Sequence, residues 1–148
     1  PSSTFDQYFQ AQAKHNNEPV GGLETLAFQT DLLYKGSDIK RQVEQLMCLL
    51  DNQEFYEQMM ESMTDAFYAQ DLDALKAAMD KKLGGTCDST PEELAQLIDN
   101  RNADWAKKMP AIMAAKPTFF VVGAGHLPGA KGVLQLLKDA GYTVEAVK

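Results

Sequence analysis

The sequence predicts an α/β fold of the α+β kind, in which a short strand and a large helical segment precede a C-terminal parallel βαβ unit. Three observations lead to this prediction. The apolar run at residues 118–122 ends at a glycine, and an amphipathic segment at 129–140 precedes a second strand-like run at 142–147. A strand, a helix and a strand in this order form a right-handed parallel unit. Before them, apolar residues recur at helical spacing.

The whole chain is expected to form one unit within a larger sheet domain. No repeat, low-complexity stretch or linker divides residues 1–148. We place a helical insertion at about residues 25–116 and the terminal βαβ unit at 117–148. The strand at 118–122 is apolar at successive positions, so we expect it to be buried on both faces.

Composition limits the classes of function. The chain has 148 residues, with 21 acidic against 14 basic residues and a net charge of −7. A nucleic-acid-binding protein would need a basic face, so that class is not expected. No apolar run approaches the roughly 20 residues of a membrane span. The chain starts at Pro1 and shows no signal peptide, so we expect a processed piece, and an earlier removal of a leader stays open.

The N-terminal part predicts a helix followed by a brief strand. Small hydroxyl residues at 2–4 cap an amphipathic helix that ends at the turn-prone residues 15–17, where His15 is expected to be exposed. Residues 19–23 then form a short strand. Glu24 follows where this strand gives way to a helix. It is either an acid favoured by the dipole of a helical first turn or part of a site.

The central segment predicts several amphipathic helices. Its methionine-rich stripe is interpreted as core packing rather than as a ligand surface, because methionine fills gaps in cores. Thr90, Pro91 and Glu93 form the signature of a helix N-terminus. Arg101 lies one helical turn before Trp105 and close to the apolar stripe. Its guanidinium either extends beside the stripe into solvent, or it has an acidic partner or an anionic ligand.

Two cysteines, Cys48 and Cys87, have neither CxxC spacing nor a nearby histidine. A zinc finger or a thioredoxin motif is therefore not expected. The pair forms either two buried thiols or one disulfide between two helical segments. The sequence alone favours the thiols, whereas an exported origin would favour the disulfide.

His126 follows the strand at 118–122 and allows three interpretations. Gly123 and Gly125 match half of a dinucleotide fingerprint, but the third glycine falls at 129, and that fold would continue with further strands. Alternatively, the glycines form a sharp turn in which His126 makes a structural hydrogen bond. As a third possibility, His126 is a metal ligand or a general base in a cleft at the carboxyl end of the strand. The residues alone leave the second and third interpretations open.

Three stretches of the chain form a set in a fixed order. Gly22-Leu-Glu-Thr25 is followed by Gln29, Arg101-Asn-Ala-Asp-Trp105 comes next, and Val122-Gly-Ala-Gly-His-Leu-Pro-Gly129 precedes the apolar helix. Together they resemble the LET…Q, RN…W and C-terminal motifs of the TraB/GumN family, which is related to the Tiki proteases. The resemblance covers nearly the whole chain.

The resemblance implies a mixed sheet with a helical insertion and two GxxH motifs, one in each half. Residues 123–126 fit the second motif, and no first motif is present, so the chain resembles the C-terminal half of a family member. Carried over by position, the catalytic residues are Glu24, Arg101 and His126. His126 and Glu24 would hold a divalent metal ion, and Gly123, Gly125 and Asn102 would support the site.

Two functions follow as expectations. The first is a metal-dependent hydrolase, specifically a peptidase acting on a peptide or protein, in which this chain supplies half of the active site and is inert alone. The second is a non-catalytic binding or accessory module. The resemblance also implies export to the periplasm or cell envelope. Unpaired sheet edges would lead to self-association.

Overall fold

The computed structural model describes residues 4–147, and within this range the chain is mainly helical. Eight α-helices follow one another, and short 3₁₀ turns at Gly85–Cys87 and Ala124–His126 and a π-helical turn at Ala95–Asp99 lie between them. The α-helices are α1 (Phe5–His15), α2 (Leu26–Lys35), α3 (Ile39–Asp51), α4 (Gln53–Tyr68), α5 (Leu72–Met79), α6 (Pro91–Leu94), α7 (Asn100–Ala115) and α8 (Val133–Asp139).

The predicted helix starts are confirmed where local side chains cap them. The Thr4 hydroxyl accepts a hydrogen bond from the Gln7 backbone N–H, and the side-chain oxygen of Gln7 accepts one from the Thr4 backbone N–H. Thr90 and Glu93 form the same reciprocal pair at the start of α6. The other predicted capping residues, Ser2 and Ser3, lie outside the described residues, as does Lys148.

The predicted α/β class is wrong for residues 4–147, in which no strand or sheet forms. The segments at 19–23, 118–122 and 142–147 form neither helix nor strand, and they exchange no ladder of backbone hydrogen bonds. A strand is defined by such a ladder, so β-branched and aromatic composition alone does not produce one. The chain therefore has no terminal βαβ unit in this range.

The segment at 118–122 also differs from the expectation of burial on both faces. Phe120 and Val122 pack against the core, whereas Phe119 and Val121 are 71% and 40% exposed. This alternation follows from an extended backbone, whose successive side chains point in opposite directions. On the outer side Phe119 contacts Phe9 of α1, with ring centroids 4.8 Å apart, but this contact leaves most of Phe119 exposed, so only the inner face is buried.

The core lies between α7 and α8. Trp105 and Met109 of α7 pack with Val133 of α8, and partly buried residues surround them, namely Leu23, Met113, Phe120, Val122 and Leu137. Leu23 immediately precedes Glu24, and Phe120 and Val122 precede His126. Packing of these apolar residues therefore brings two sequence-predicted site residues to the start of α7.

A disulfide joins Cys48 of α3 to Cys87. Arg41 reinforces the same junction, because its guanidinium donates to the backbone carbonyls of Thr86 and Asp88 and pairs with Glu93. The sequence alone favoured two buried thiols, but the structure has one disulfide, which links the loop before α6 to α3.

Candidate functional site

Four polar side chains from three separate segments meet at the first turn of α7. Glu24 comes from the connection between α1 and α2, Arg101 and Asn102 from α7, and His126 from the turn at Ala124–His126. The structure thus brings together four of the residues that the sequence selected. We call Glu24, Arg101, Asn102 and His126, with Trp105 beneath them, the polar cluster.

Arg101 and Glu24 form a two-pronged ion pair. The Arg101 Nε and Nη2 atoms each lie 2.9 Å from one oxygen of the Glu24 carboxylate. The side chains of Glu24 and Arg101 are only 4% and 14% exposed. Gln29 donates a further hydrogen bond to Glu24, at 3.3 Å. Arg101 therefore has an acidic partner and does not extend into solvent, and its fork geometry makes this a strong, directional pair.

His126 is buried and is contacted through both ring nitrogens. Its Nδ1 atom lies 2.6 Å from Oδ1 of Asn102, and its Nε2 atom lies 3.4 Å from Nη1 of Arg101. Asn102 is itself fully buried and donates through Nδ2 to the backbone carbonyl of Lys131, at 2.9 Å. One hydrogen-bonded path thus joins Glu24 to Lys131 through three side chains.

Trp105 supports the cluster from below and was not predicted as a site residue. Its ring centroid lies 4.4 Å from that of His126, and the Arg101 guanidinium lies 5.0 Å from it, a distance that permits a cation–π interaction. The buried indole Nε1 has no hydrogen-bond partner among the described residues. The spacing of four residues between Arg101 and Trp105 places both on one helix face, which was the available signal.

The cluster shifts the pKa values of its ionisable groups. Burial lowers the pKa of His126, and the positive charge of Arg101 lowers it further, while Glu24 opposes both. For Glu24, burial raises the pKa, but the hydrogen bonds from Arg101 and Gln29 and the charge of Arg101 lower it overall. At neutral pH the cluster therefore contains a neutral imidazole beside a guanidinium–carboxylate pair.

These shifts predict that acid destabilises the fold in two steps. Both pKa values lie below their ordinary values of 6.5 and 4.5, so the unfolded chain binds protons more readily. The stabilisation is complete above each ordinary value and is lost as pH falls through the folded-state pKa. We expect the free energy of unfolding to fall through His126 as pH drops below about 6.5, and to fall further through Glu24 as pH drops below about 4.5. Urea unfolding at each pH measures this. His126→Gln should flatten the first step.

The two predicted supporting glycines have different surroundings. A Cβ on Gly125 would lie 2.9 Å from Cε of Met79, so this glycine lets the turn approach α5 closely. A Cβ on Gly123 would make only an ordinary contact with the His126 ring, at 3.6 Å. A side chain at position 125 would therefore displace the end of the Met79 side chain, whereas a side chain at position 123 would meet only an ordinary contact.

The cluster as arranged does not fit a divalent metal ion. No group of three or more His, Cys, Asp or Glu side chains within residues 4–147 is placed to hold one. Both oxygens of Glu24 already bind Arg101, and the guanidinium lies between Glu24 and the Nε2 atom of His126. A metal ion shared by His126 and Glu24 would have to displace this cation. The positive charge of the cluster is thus supplied by a side chain.

Comparison with protein families decides the relationship of the chain. The model of the TraB/PrgY/gumN family matches residues 1–146, essentially the whole sequence. The chain belongs to the TraB/PrgY/gumN family. The resemblance inferred from the three motifs is therefore confirmed. Comparisons with curated proteins and with solved structures give no match. Within the family match, the three motifs are the stretches that supply Glu24, Arg101, Asn102, Trp105 and His126 to the polar cluster.

No helix among residues 4–147 is both long and apolar enough to cross a membrane.

Proposed function

We propose that the chain supplies half of the active site of a hydrolase that cleaves peptide bonds, with His126 as proton acceptor and Arg101 as a fixed positive charge. The observation that supports this is the approach of a neutral imidazole to a guanidinium, at 3.4 Å, within a buried cluster. Ionisable groups with shifted pKa values in mutual contact are typical of active sites.

Each member of the cluster has a definite part in this proposal. The neutral His126 ring takes a proton from the attacking water at Nε2, once the water replaces the 3.4 Å contact of Nε2 with Arg101 Nη1. The one N–H of Arg101 that its present contacts leave free, on Nη2, donates a hydrogen bond to the carbonyl oxygen of the substrate, where negative charge develops. Glu24 binds two guanidinium nitrogens and so holds Arg101 in place. The ion pair also keeps the net charge of the buried pair at zero, which limits the cost of burying it.

Family membership supports the proposal at the level of the family, and the peptide as substrate comes from the resemblance to the Tiki proteases. That resemblance also implies a divalent metal ion. The metal ion stays a prediction, and the two Glu24 oxygens that would bind it are engaged by Arg101. Elemental analysis of the purified full-length protein, with and without chelator treatment, measures it.

The test is peptide hydrolysis by the full-length protein. A mixture of peptides is incubated with the protein, and the cleavage products are identified by mass spectrometry. His126→Ala should reduce cleavage by about 10²–10⁴-fold, the usual contribution of a general base. His15→Ala is the matched control, because His15 is exposed near the end of α1. Equal cleavage by wild type and His126→Ala would contradict the proposal, and the isolated chain is expected to be inert.

A non-catalytic module is the second candidate, and a specific observation favours it. Lys108 donates to the backbone carbonyl of Leu23 at 2.8 Å, and Lys131 pairs with Asp99 at 2.7 Å. These contacts tie the same segments that carry Glu24 and His126 to the helical segment, so the polar cluster could serve the fold alone. In that case His126→Ala lowers stability, and neither protein cleaves peptides.

Export and self-association complete the proposal. The disulfide between Cys48 and Cys87 supports an oxidising compartment such as the periplasm or cell envelope. Self-association stays a prediction, although the sheet edges from which it was inferred do not form in residues 4–147. Exposed apolar side chains, including Leu26, Ile39 and Phe119, support it instead. Sedimentation of the chain as a concentration-independent monomer would contradict it.

A further inference from the structure

We infer that Asn102, oriented by the backbone carbonyl of Lys131, is a positioning residue that fixes the ring of His126 in one tautomer, with hydrogen on Nδ1 and the lone pair on Nε2. The inference deepens the proposed function, on which it rests for its catalytic meaning, because it identifies the nitrogen that accepts the proton. Its evidence is a hydrogen-bonded path of three groups, each with limited donor and acceptor capacity.

The first step is the orientation of the Asn102 amide. Its Nδ2 atom lies 2.9 Å from the carbonyl oxygen of Lys131, and a carbonyl oxygen can only accept. The opposite orientation would place two oxygens against each other. Asn102 is only 1% exposed, so solvent cannot relieve that clash. The amide oxygen therefore points towards His126.

The second step follows from the first. The amide oxygen lies 2.6 Å from Nδ1 of His126 and can only accept, so Nδ1 carries the hydrogen. A neutral imidazole has one hydrogen, which leaves the lone pair on Nε2. The contact at Nε2 is consistent with this tautomer, because Arg101 Nη1 is a donor with no acceptor capacity. The other tautomer would create a mismatch at both nitrogens.

The stretch at residues 123–132 supplies both His126 and the Lys131 carbonyl, the two groups that Asn102 joins. His126 donates its backbone N–H to Gly123, and Gly132 donates to Gly129, so residues 123–132 form two successive tight turns. Gly132 permits the second turn, because a Cβ there would lie 2.2 Å from the carbonyl oxygen of Leu127. Lys131 precedes Gly132 and is also held from outside by its side chain, which pairs with Asp99. The carbonyl that orients Asn102 is thus fixed in place.

The consequence is a directed proton acceptor. The Nε2 lone pair faces the guanidinium of Arg101, where the proposed reaction develops negative charge. A ring free to exchange tautomers would present an N–H there for part of the time and could not accept a proton. Loss of Asn102 should therefore lower kcat with little change in KM, because Asn102 is buried and would not contact a bound substrate.

Nuclear magnetic resonance of the chain labelled with ¹⁵N-histidine tests the inference directly. The chain contains two histidines, so the spectrum reports His126 and the exposed His15 side by side. At neutral to alkaline pH, where His126 is neutral, we expect hydrogen on Nδ1 and an unprotonated Nε2 for this ring. Asn102→Ala should release this preference. Asn102→Asp should retain it, because one carboxyl oxygen still accepts from Nδ1, but the other oxygen then meets the carbonyl of Lys131, so this variant should also be less stable than the wild type. Asn100→Ala, an exposed amide in the same helical turn, is the control.

The outcomes separate this inference from the proposed function. Hydrogen on Nε2 of His126 in the wild type would overturn the inference, whether or not the protein cleaves peptides. The same holds if a folded Asn102→Ala variant keeps the wild-type spectrum. If Asn102→Ala fails to fold, the wild-type and Asn102→Asp spectra decide the question. A spectrum as expected, in a protein without hydrolytic activity, supports the positioning role and contradicts only the proposed function.

Discussion

Replacement of Arg101 with leucine is expected to lower the free energy of unfolding by about 3–5 kcal/mol, because it leaves the buried Glu24 carboxylate without its cation. Without the guanidinium, burial dominates and raises the Glu24 pKa. The carboxyl is then protonated more easily, so the deficit of the variant relative to the wild type should shrink as pH falls. Urea unfolding at pH 7 and at acidic pH, followed by circular dichroism, measures both effects.

Two controls show whether the effect belongs to the buried pair. Arg101→Lys keeps the charge but not the two-pronged geometry, so it should fall between wild type and leucine. Lys35→Ala removes an equally charged partner from the exposed pair with Asp31, and such pairs contribute about 0–1 kcal/mol. If Arg101→Leu and Lys35→Ala cost the same, the Glu24–Arg101 pair is not buried as described.

Replacement of Trp105 with alanine is expected to cost about 3–5 kcal/mol, through lost burial and the cavity that remains. Trp105 packs with Met109 and Val133 in the core, and its ring also lies against His126 and Arg101. The variant should therefore lose both stability and the ordered geometry of the polar cluster. Thermal unfolding by circular dichroism is the suitable measurement, since the chain has only this one tryptophan for fluorescence.

Trp105→Phe separates packing from the indole N–H. Within residues 4–147 the buried Nε1 makes no well-formed hydrogen bond, although the indole N–H helps to lower the pKa of Glu24, so its removal deletes a donor that is at most weakly satisfied. Phenylalanine keeps most of the ring contact with His126 and should therefore cost clearly less than alanine. A phenylalanine variant as unstable as alanine would mean that the N–H makes an important hydrogen bond.

The local features of the fold could be predicted from the sequence, and the non-local ones could not. Helix starts at Thr4 and Thr90 depend on side chains three residues away, so the sequence contains the whole signal. The segment at 118–122 has strand composition, yet a strand needs a partner backbone that composition does not specify. The predicted sheet failed for this reason.

The same distinction between local and non-local features applies to the candidate site. The position of Arg101 beside the apolar stripe left two alternatives open, namely extension into solvent and an acidic partner or anionic ligand. The sequence could not show that the partner is Glu24, 77 residues away. The three family motifs pointed to side chains that the fold brings together. The role of the Lys131 carbonyl could not be predicted from the sequence, because every residue has a backbone carbonyl. Only the folded stretch at 123–132 places the carbonyl of Lys131 against Asn102.

The most direct test of the polar cluster is the coupling free energy between Glu24 and Arg101. Unfolding free energies are measured for Glu24→Gln, Arg101→Gln, the double variant and the wild type at pH 7. Residues in contact within one ion pair show coupling of about 0.5–3 kcal/mol, and we predict the upper part of this range for a buried, two-pronged pair. Additive effects, with coupling near zero, would contradict the assembly of Glu24, Arg101 and His126 into one site.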